Sequence, residues 1–224
     1  MNRNAQAVLD RELARLAQEG WVPRLLLHAC CAPCSSYVLE YLAAHFAITV
    51  YYYNPNIAPE TEYRFRAGEL QRLLTEMNPA RPVDYLEGPY EPARFYALSR
   101  GLEQEPEGGE RCFRCYRLRL ESTAQTAQRL GVAYFTTTLS ISPYKNAAML
   151  NEIGEALAAE YGVRYLTSDF KKRNGYRRSC ELSTQYGLYR QDYCGCVYSQ
   201  AEAAARRAAR CTEKGDSAGS SLTE

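Results

Sequence analysis

RLLLHACCAPCSSYVLEYLAAHFAITVYYY, residues 24–53, carries the plan of the chain. Arg24–Ala29 is a short apolar run, Cys30–Cys34 a turn bearing cysteines and a proline, and Ser35–His45 a helical stretch. Ile48–Tyr53 is β-branched and aromatic, as strands prefer, and Asn54-Pro55-Asn56 stops it. The segment therefore reads strand, turn, helix, strand. Working outward, Val8–Ala17 reads as an amphipathic helix, and Glu60–Glu76 as a helix with Tyr63, Leu70, Leu73 and Leu74 on one side. Pro82–Leu86 reads as a strand, Glu91–Leu98 as helical, Gly101–Glu110 as a loop, and Cys112–Leu130 as a long helix with Gly131 as its cap. Val132–Thr138 is a strand, Ala147–Tyr161 a helix closed by Gly162, and Val163–Leu166 a fifth strand. Beyond Asp169 the pattern is irregular and basic until an Ala/Arg helix at Ser199–Arg210. Short apolar strands separated by helices predict an α/β fold, a mostly parallel sheet with helices on both faces, followed by an irregular cysteine-containing C-terminal part. Ligands of such sheets sit at the carboxyl ends of the strands.

The composition fits this plan. With 224 residues, 46% hydrophobic, 24% charged and a net charge of +1, one domain over residues 1–211 accounts for the core. The Ser/Gly-rich stretch 212–224 is expected to be disordered. Met1–Gly20 carries charges and no apolar core of a signal peptide, and no uncharged run reaches the ~18–20 residues that cross a bilayer. A cytoplasmic location with no membrane partner is expected. There, the nine cysteines point to metal ligation or redox chemistry rather than to disulfides.

Seven of those cysteines fall in three groups: Cys30-Cys31-Ala-Pro-Cys34 after the first strand, Cys112-Phe-Arg-Cys115 opening the long helix, and Cys194-Gly-Cys196 before the last one. A CxxC pair in a tight turn or first helical turn brings two thiols to one metal, and a helix N-terminus favours thiolate. CxC with a central glycine gives a similar bite. CxxC plus CxC supplies four thiolates, which suit one structural zinc or one [4Fe–4S] cluster, and spacing alone leaves the two open. Adjacent Cys30 and Cys31 point apart in most backbones, so they are not expected to share one small ion in a closed site. Cys180 and Cys211 are solitary and read as ordinary packing residues.

Five ordered segments carry a family resemblance: LLLHACCAPC (Leu25–Cys34), GERCFRCYRLRL (Gly109–Leu120), TTTLSISPYKN (Thr136–Asn146), DFKKRNGY (Asp169–Tyr176) and LYRQDYCGC (Leu188–Cys196). Together they closely resemble QueH, the cobalamin-independent epoxyqueuosine reductases. The resemblance implies a Rossmann-like fold of the HUP or PP-loop type and reduction of epoxyqueuosine to queuosine at the tRNA wobble position, the last step of queuosine biosynthesis. It also implies an iron–sulfur cluster with a second metal beside it. Relatives of that fold that use ATP carry a Ser/Gly-rich phosphate loop after the first strand. Here Cys30–Cys34 stands in its place and only Ser35-Ser36 is similar, so ATP use is not expected.

Converting an epoxide to an alkene takes two electrons and protons on the departing oxygen, and no side chain stores such electrons reversibly. The thiols are divided accordingly. Cys112, Cys115, Cys194 and Cys196 are expected to hold a [4Fe–4S] cluster, and Cys30, Cys31 or Cys34 a second metal ion, taken as iron. Asp169, Tyr144, Lys145 and Tyr193 are the catalytic candidates; Asp169 also suits a local cap or an ion partner for Lys171–Arg173. His28 reads as a buried strand residue or as an orienter of a thiolate, and His45 as a helix-end residue without a role. Lys171, Lys172, Arg173, Arg177 and Arg178 place five positive charges beside Tyr176, a segment expected to contact tRNA phosphates. Arg64, Arg66, Arg111, Arg114, Arg117 and Arg119 are expected to add charge near the strand ends. An electron donor is required and the residues do not name it. Two other classes remain open: a zinc-stabilised RNA-binding module, and a thiol–disulfide oxidoreductase working through Cys30, Cys31 and Cys34.

Overall fold

Alternation within the strands sorts the helices onto two faces. In β1 (Arg24–His28), Leu25 and Leu27 pack into one layer and Leu26 into the other. The computed structural model describes the backbone of residues 4–219 and side chains as far as Arg210. β1 lies at the centre of a five-stranded sheet of order β3 (Val83–Glu87), β2 (Ala47–Tyr52), β1, β4 (Tyr134–Thr137), β5 (Arg164–Tyr165), and every pairing is parallel. Leu26 sits opposite Thr49 on one side and Phe135 on the other.

The first layer takes Leu9, Leu13 and Leu16 from α1 (Ala5–Gln18), Val38, Leu39 and Leu42 from α2 (Ala32–Leu42), and Tyr63, Leu70 and Leu73 from α3 (Glu60–Glu76). All are buried, each contributing about 1.5–3 kcal/mol of transfer free energy when fully removed from water. Against the second face lie α5 (Glu110–Arg129), with Tyr116, Leu120 and Ala124, and α6 (Ala147–Tyr161), with Leu150 and Leu157. The short α4 (Pro92–Ser99) sets Phe95 against Cys115 and Cys196. The parallel α/β architecture with helices on both faces is thus as the sequence predicts. Among the described residues no helix is long and apolar enough to cross a membrane.

The chain runs outward from β1 through β2 to β3 and then returns to lay β4 beside β1. The crevice at the carboxyl ends of β1 and β4 is therefore the switch point at which such sheets bind ligands. Cys30–Cys34 leaves β1 there, and a 3-10 turn, Thr138–Ile141, leaves β4. That turn shortens the expected strand Val132–Thr138: the Thr137 side chain accepts from Leu139 N–H at 3.1 Å and breaks the ladder.

A larger departure lies beyond Asp169. The basic stretch expected to be irregular contains α7 (Gly175–Gln185), packed on α2. Its buried face is Gly175, Ser179, Leu182 and Ser183, so apolar periodicity is nearly absent. Ser179 and Ser183 return their hydroxyls to the carbonyls of Tyr176 and Ser179. The last helix, α8, runs Val197–Gly219; the segment 212–224, expected to be disordered, lies outside the described side chains and ends outside the described residues.

Gly175 is where α7 can come close. A Cβ there would stand 2.0 Å from Phe170 O and 2.4 Å from the Tyr37 ring, whereas one at Gly68, on exposed α3 surface, would meet nothing within 4 Å. Gly175→Ala is expected to destabilise by about 1–3 kcal/mol through overpacking. Gly68→Ala is expected to stabilise by about 0.5–1 kcal/mol through helix propensity. Urea unfolding of the two variants side by side checks both signs.

Candidate active site and metal centre

Cys31 is the N-cap of α2, fully extended at φ −170°, and Cys34 lies in the first turn of that helix. This strand-to-helix turn brings Cys30 and Cys31 Sγ within 3.7 Å of each other. It corrects the expectation that the adjacent thiols diverge. Among the described residues, Cys30, Cys31 and Cys34 form the group whose sulfurs all lie within 4.8 Å of one another. Metal–sulfur bonds near 2.3 Å put tetrahedral ligand sulfurs about 3.8 Å apart, so the trio fits a single ion. Hydrogen bonds from the Cys30 and Cys34 thiols hold Cys31 well below the ordinary thiol range, with the Arg66 guanidinium adding to the effect. The same contacts push Cys30 and Cys34 up. A metal taken up by the trio would displace the protons that these contacts favour on Cys30 and Cys34.

The second group assembles from two elements. Cys112 and Cys115 share a face at the start of α5, and Cys194 and Cys196 come from the loop before α8. That loop is held from outside: Arg66 Nη1 donates to Cys194 O at 3.2 Å and Ala58 N–H to Gly195 O at 2.9 Å. Gly195 adopts φ +117°, open to glycine, with Ile57 and Arg66 too close for a Cβ. All four cysteines line one small cavity with Asn56, Arg111 and Tyr116. Among the described residues no three of these sulfurs lie as close together as those of the trio. Burial pushes Cys115 up to about 12 and raises Cys112 and Cys196 as well. All eight cysteines with described side chains are free, and Cys211 lies outside the described side chains.

Above the trio opens a cavity of about 370 Å³, lined by Cys30, Cys31, Cys34, Cys194, Tyr144, Lys145, Tyr193, Tyr176 and Gln191 among others. Cys194 and Glu107 line both cavities, so the two thiol groups are neighbours. Of the catalytic candidates, three are in the larger cavity. Lys145 is 7% exposed and pairs with Glu107 at 2.6 Å. Burial opposes its charge, yet Cys194, Tyr116 and Glu107 hold its pKa well above the ordinary lysine value. Tyr193 lies under the Arg66 guanidinium, 4.9 Å from ring centre to Cζ, and Tyr144 is 71% exposed at the rim. Asp169 is not brought to the cavity wall; it pairs with Lys171 at 2.9 Å, and Lys171 Nζ in turn donates to Ser140 O on the 3-10 turn.

Of the arginines expected to add charge near the strand ends, Arg66, Arg111 and Arg119 are buried. Arg111 Nη1 caps the carbonyls of Leu102, Glu103 and Glu105. Arg119 donates to His28 Nε2 at 3.3 Å and to Asn54 Oδ1 at 2.5 Å. Burial and that guanidinium push His28 down to about 3, so its imidazole is neutral, with Nδ1 2.8 Å from Thr137 Oγ1. Of the basic segment, Arg173 pairs with Asp10, Arg177 with Glu181, and Arg178 with Glu40 and Glu181. Together with Asn174 and Tyr37 they border a shallow depression of their own. Lys172 is exposed and makes no ion pair among the described residues. Gln191 and Asn56 escaped the sequence reading, since a lone amide carries no signal until its surroundings are known.

Comparison with known proteins agrees with this geometry. The family model for epoxyqueuosine reductase QueH matches residues 25–202. The chain belongs to the QueH family. A family member from Streptococcus pyogenes serotype M1, named epoxyqueuosine reductase QueH, is 47% identical over 205 residues, covering 89% of this chain and 80% of its own. QueH of Staphylococcus epidermidis is 42% identical, covering 88% and 84%, and that of Thermotoga maritima 36% identical, covering 80% and 91%. The matched region contains both thiol groups and the whole sheet.

Sulfur spacing yields a direct expectation. Cys31→Ser should cost metal at the three-thiol site and leave the four-thiol site loaded, whereas Cys115→Ser should cost the larger share. Elemental analysis of anaerobically loaded variants checks this; equal losses from both would refute the partition.

Proposed function

We propose that this protein reduces epoxyqueuosine to queuosine in tRNA, with Cys112, Cys115, Cys194 and Cys196 holding a [4Fe–4S] cluster and Cys30, Cys31 and Cys34 holding an iron ion beside it. The observation that carries the reading is the meeting of two thiol groups of different spacing at Cys194, with one of them opening on a nucleoside-sized cavity. Small-molecule pockets run to about 300–1,000 Å³, and 370 Å³ admits an extruded base with its ring substituent. The zinc-module alternative leaves that cavity unexplained, and the thiol–disulfide alternative accounts for the trio but not the quartet.

When bound, the metal groups supply the two electrons, received from an external donor, and Lewis acidity toward the epoxide oxygen. The chain's own residues do the rest. Lys145, kept cationic by Glu107 and its thiol neighbours, stands in the cavity wall as the proton donor for the departing oxygen, with Tyr193 beside it. Asp169 acts at one remove: through Lys171 it fixes the Ser140–Lys145 loop, because Lys171 Nζ also reaches Lys145 O at 3.5 Å. Tyr144 and Tyr176 at the rim offer rings on which a splayed base stacks. Gln191 Oε1 is buried with no partner and lines the same cavity, an acceptor for an exocyclic amine. Outside the cavity, Lys172 and the α7 arginines Arg177 and Arg178, with Arg173, provide phosphate contacts for the anticodon stem.

Incubating anaerobically loaded protein with reductant and epoxyqueuosine-containing tRNA, then analysing nucleosides by mass, tests the reading. Loss of one oxygen from the modified nucleoside is expected; unchanged nucleoside with a fully loaded, reduced protein would refute it. Lys145→Met is expected to lower kcat about a hundredfold or more, with metal content and tRNA affinity retained. Lys172→Glu with Arg177→Glu should instead weaken tRNA binding and flatten its salt dependence, leaving single-turnover rates at saturation close to the parent. Filter binding across a salt series separates the two effects.

A further inference from the structure

Cysteines and tyrosines apart, four ionisable side chains line the larger cavity: Glu107, Lys145, Arg190 and Asp192. Three of them are balanced, because Lys145 pairs with Glu107 at 2.6 Å and Asp192 pairs with Arg207. Arg190 is not. Among the described residues its guanidinium makes no ion pair and one hydrogen bond, from Nη1 to Ser183 Oγ at 3.1 Å. The low-pKa thiol of the cavity, Cys31, has its cation in Arg66. The cavity therefore carries one positive charge that no described residue answers. Arg190 is exposed, yet it is held in place. Ser183 is 3% exposed and is itself fixed, its hydroxyl donating to Ser179 O at 2.6 Å, so the Nη1 bond ties the guanidinium to the packed face of α7. The guanidinium carbon also lies 5.9 Å from the centre of the Tyr176 ring, within cation–π range. Ser179 and Tyr176 line the same cavity. A charged fork with Nε and Nη2 unused thus stands at the cavity, next in sequence to Gln191 with its unpartnered Oε1.

We propose that Arg190 binds a phosphate flanking the nucleotide that enters the cavity, and so fixes how far that nucleotide is drawn in. The inference rests on the reading that the substrate is an extruded nucleotide of tRNA. A nucleotide turned out of its loop stays joined to the chain through a phosphate on either side. Its base and ring substituent can enter a largely apolar cavity, whereas a phosphodiester keeps its charge and stops where a cation meets it. A guanidinium meets phosphate through two parallel N–H bonds, which set orientation as well as affinity. The cations of α7 and the preceding turn are less suited to this task, because Arg173, Arg177 and Arg178 already hold carboxylates and none of them lines the cavity. They can attract the RNA, and Arg190 registers one nucleotide of it.

The test uses the full chain, loaded anaerobically, and anticodon stem-loops carrying epoxyqueuosine. Arg190→Gln changes an exposed side chain and is expected to match the parent in metal content. Its binding should weaken about tenfold, as for loss of one charge-assisted contact. The slope of log affinity against log salt should become shallower by about 0.7, one single-strand phosphate. Arg190→Lys, which keeps the charge without the fork, should restore the slope and part of the affinity. Arg129→Gln, exposed at the far end of α5 from Cys112, is the control and should bind as the parent does. Stem-loops in which a phosphate beside the modified nucleotide is replaced by a neutral methylphosphonate locate the contact. At one of the two flanking linkages the replacement should weaken the parent about tenfold and Arg190→Gln no further, the signature of a shared interaction. Equal weakening of both proteins at each linkage, or Arg190→Gln with parental affinity and slope, would overturn the proposal and leave the reductase reading standing. A loaded parent that neither binds nor reduces the stem-loop would overturn both.

Discussion

Arg119 is the constraint on which the arrangement of the molecule turns. A guanidinium at 1% exposure is tolerable only when its donors are used. Its Nη2 reaches Asn54 Oδ1, its Nε reaches His28 Nε2, and Asn54 Nδ2 in turn holds Ala29 O at 2.9 Å. These bonds tie α5 to the end of β1 and to the loop that leaves β2. Cys30 and Cys31 follow Ala29 directly, and Cys115 precedes Arg119 by one helical turn. Two groups of cysteines far apart in sequence are thereby referred to one buried point. Arg66 does the same for the third: its Nε pairs with Glu62 at 2.7 Å and its Nη1 fixes the carbonyl of Cys194.

Such concentration of buried positive charge makes sense only with negative charge close by. Glu107 balances Lys145, Glu62 balances Arg66 and Glu202 reaches Arg111 at 3.3 Å, but Arg119 faces neutral partners. On the proposed reading thiolates supply the missing anions: they would form when a metal displaces the protons that burial otherwise keeps on Cys112, Cys115 and Cys196. On that reading metal loading and the final packing of this region are linked processes.

The sequence declares its sheet because the strands obey simple rules: Leu25, Leu26 and Leu27 are buried on both faces, and Ile48, Val50 and Tyr52 alternate into one layer. The three cysteine groups were equally legible, since tight spacing is a local property. What the sequence hid was everything that depends on distant partners. Arg66, Arg111 and Arg119 carry no sign of their burial in the sequence, because arginine is usually exposed; that burial follows from carbonyls and carboxylates supplied by other elements. α7 was hidden because its packed face is Gly175, Ser179 and Ser183, whose fitness comes from small size rather than from hydrophobicity. Cys30 and Cys31 were expected to diverge on average backbone geometry, and the extended Cys31 at the start of α2 makes them converge.

The two cavities differ in the way their chemistry requires. The four-thiol cavity is the narrower and less open, with Phe95 packed against Cys115 and Cys196, and the Arg111 guanidinium 4.3 Å over the Tyr198 ring on the same side. On the proposed reading a group that only passes electrons gains from such enclosure, because less water reaches it. The three-thiol site opens instead on the cavity at the switch point, where a substrate must enter and a product leave. Cys194 lines both, and its carbonyl is fixed by a buried arginine. On the proposed reading, electrons need cross only this shared wall, whereas tRNA is gripped by cations that lie outside it on α7 and the preceding turn. Affinity and electron transfer are thus assigned to different elements of one fold, joined at β1, whose end carries the thiols that face the substrate.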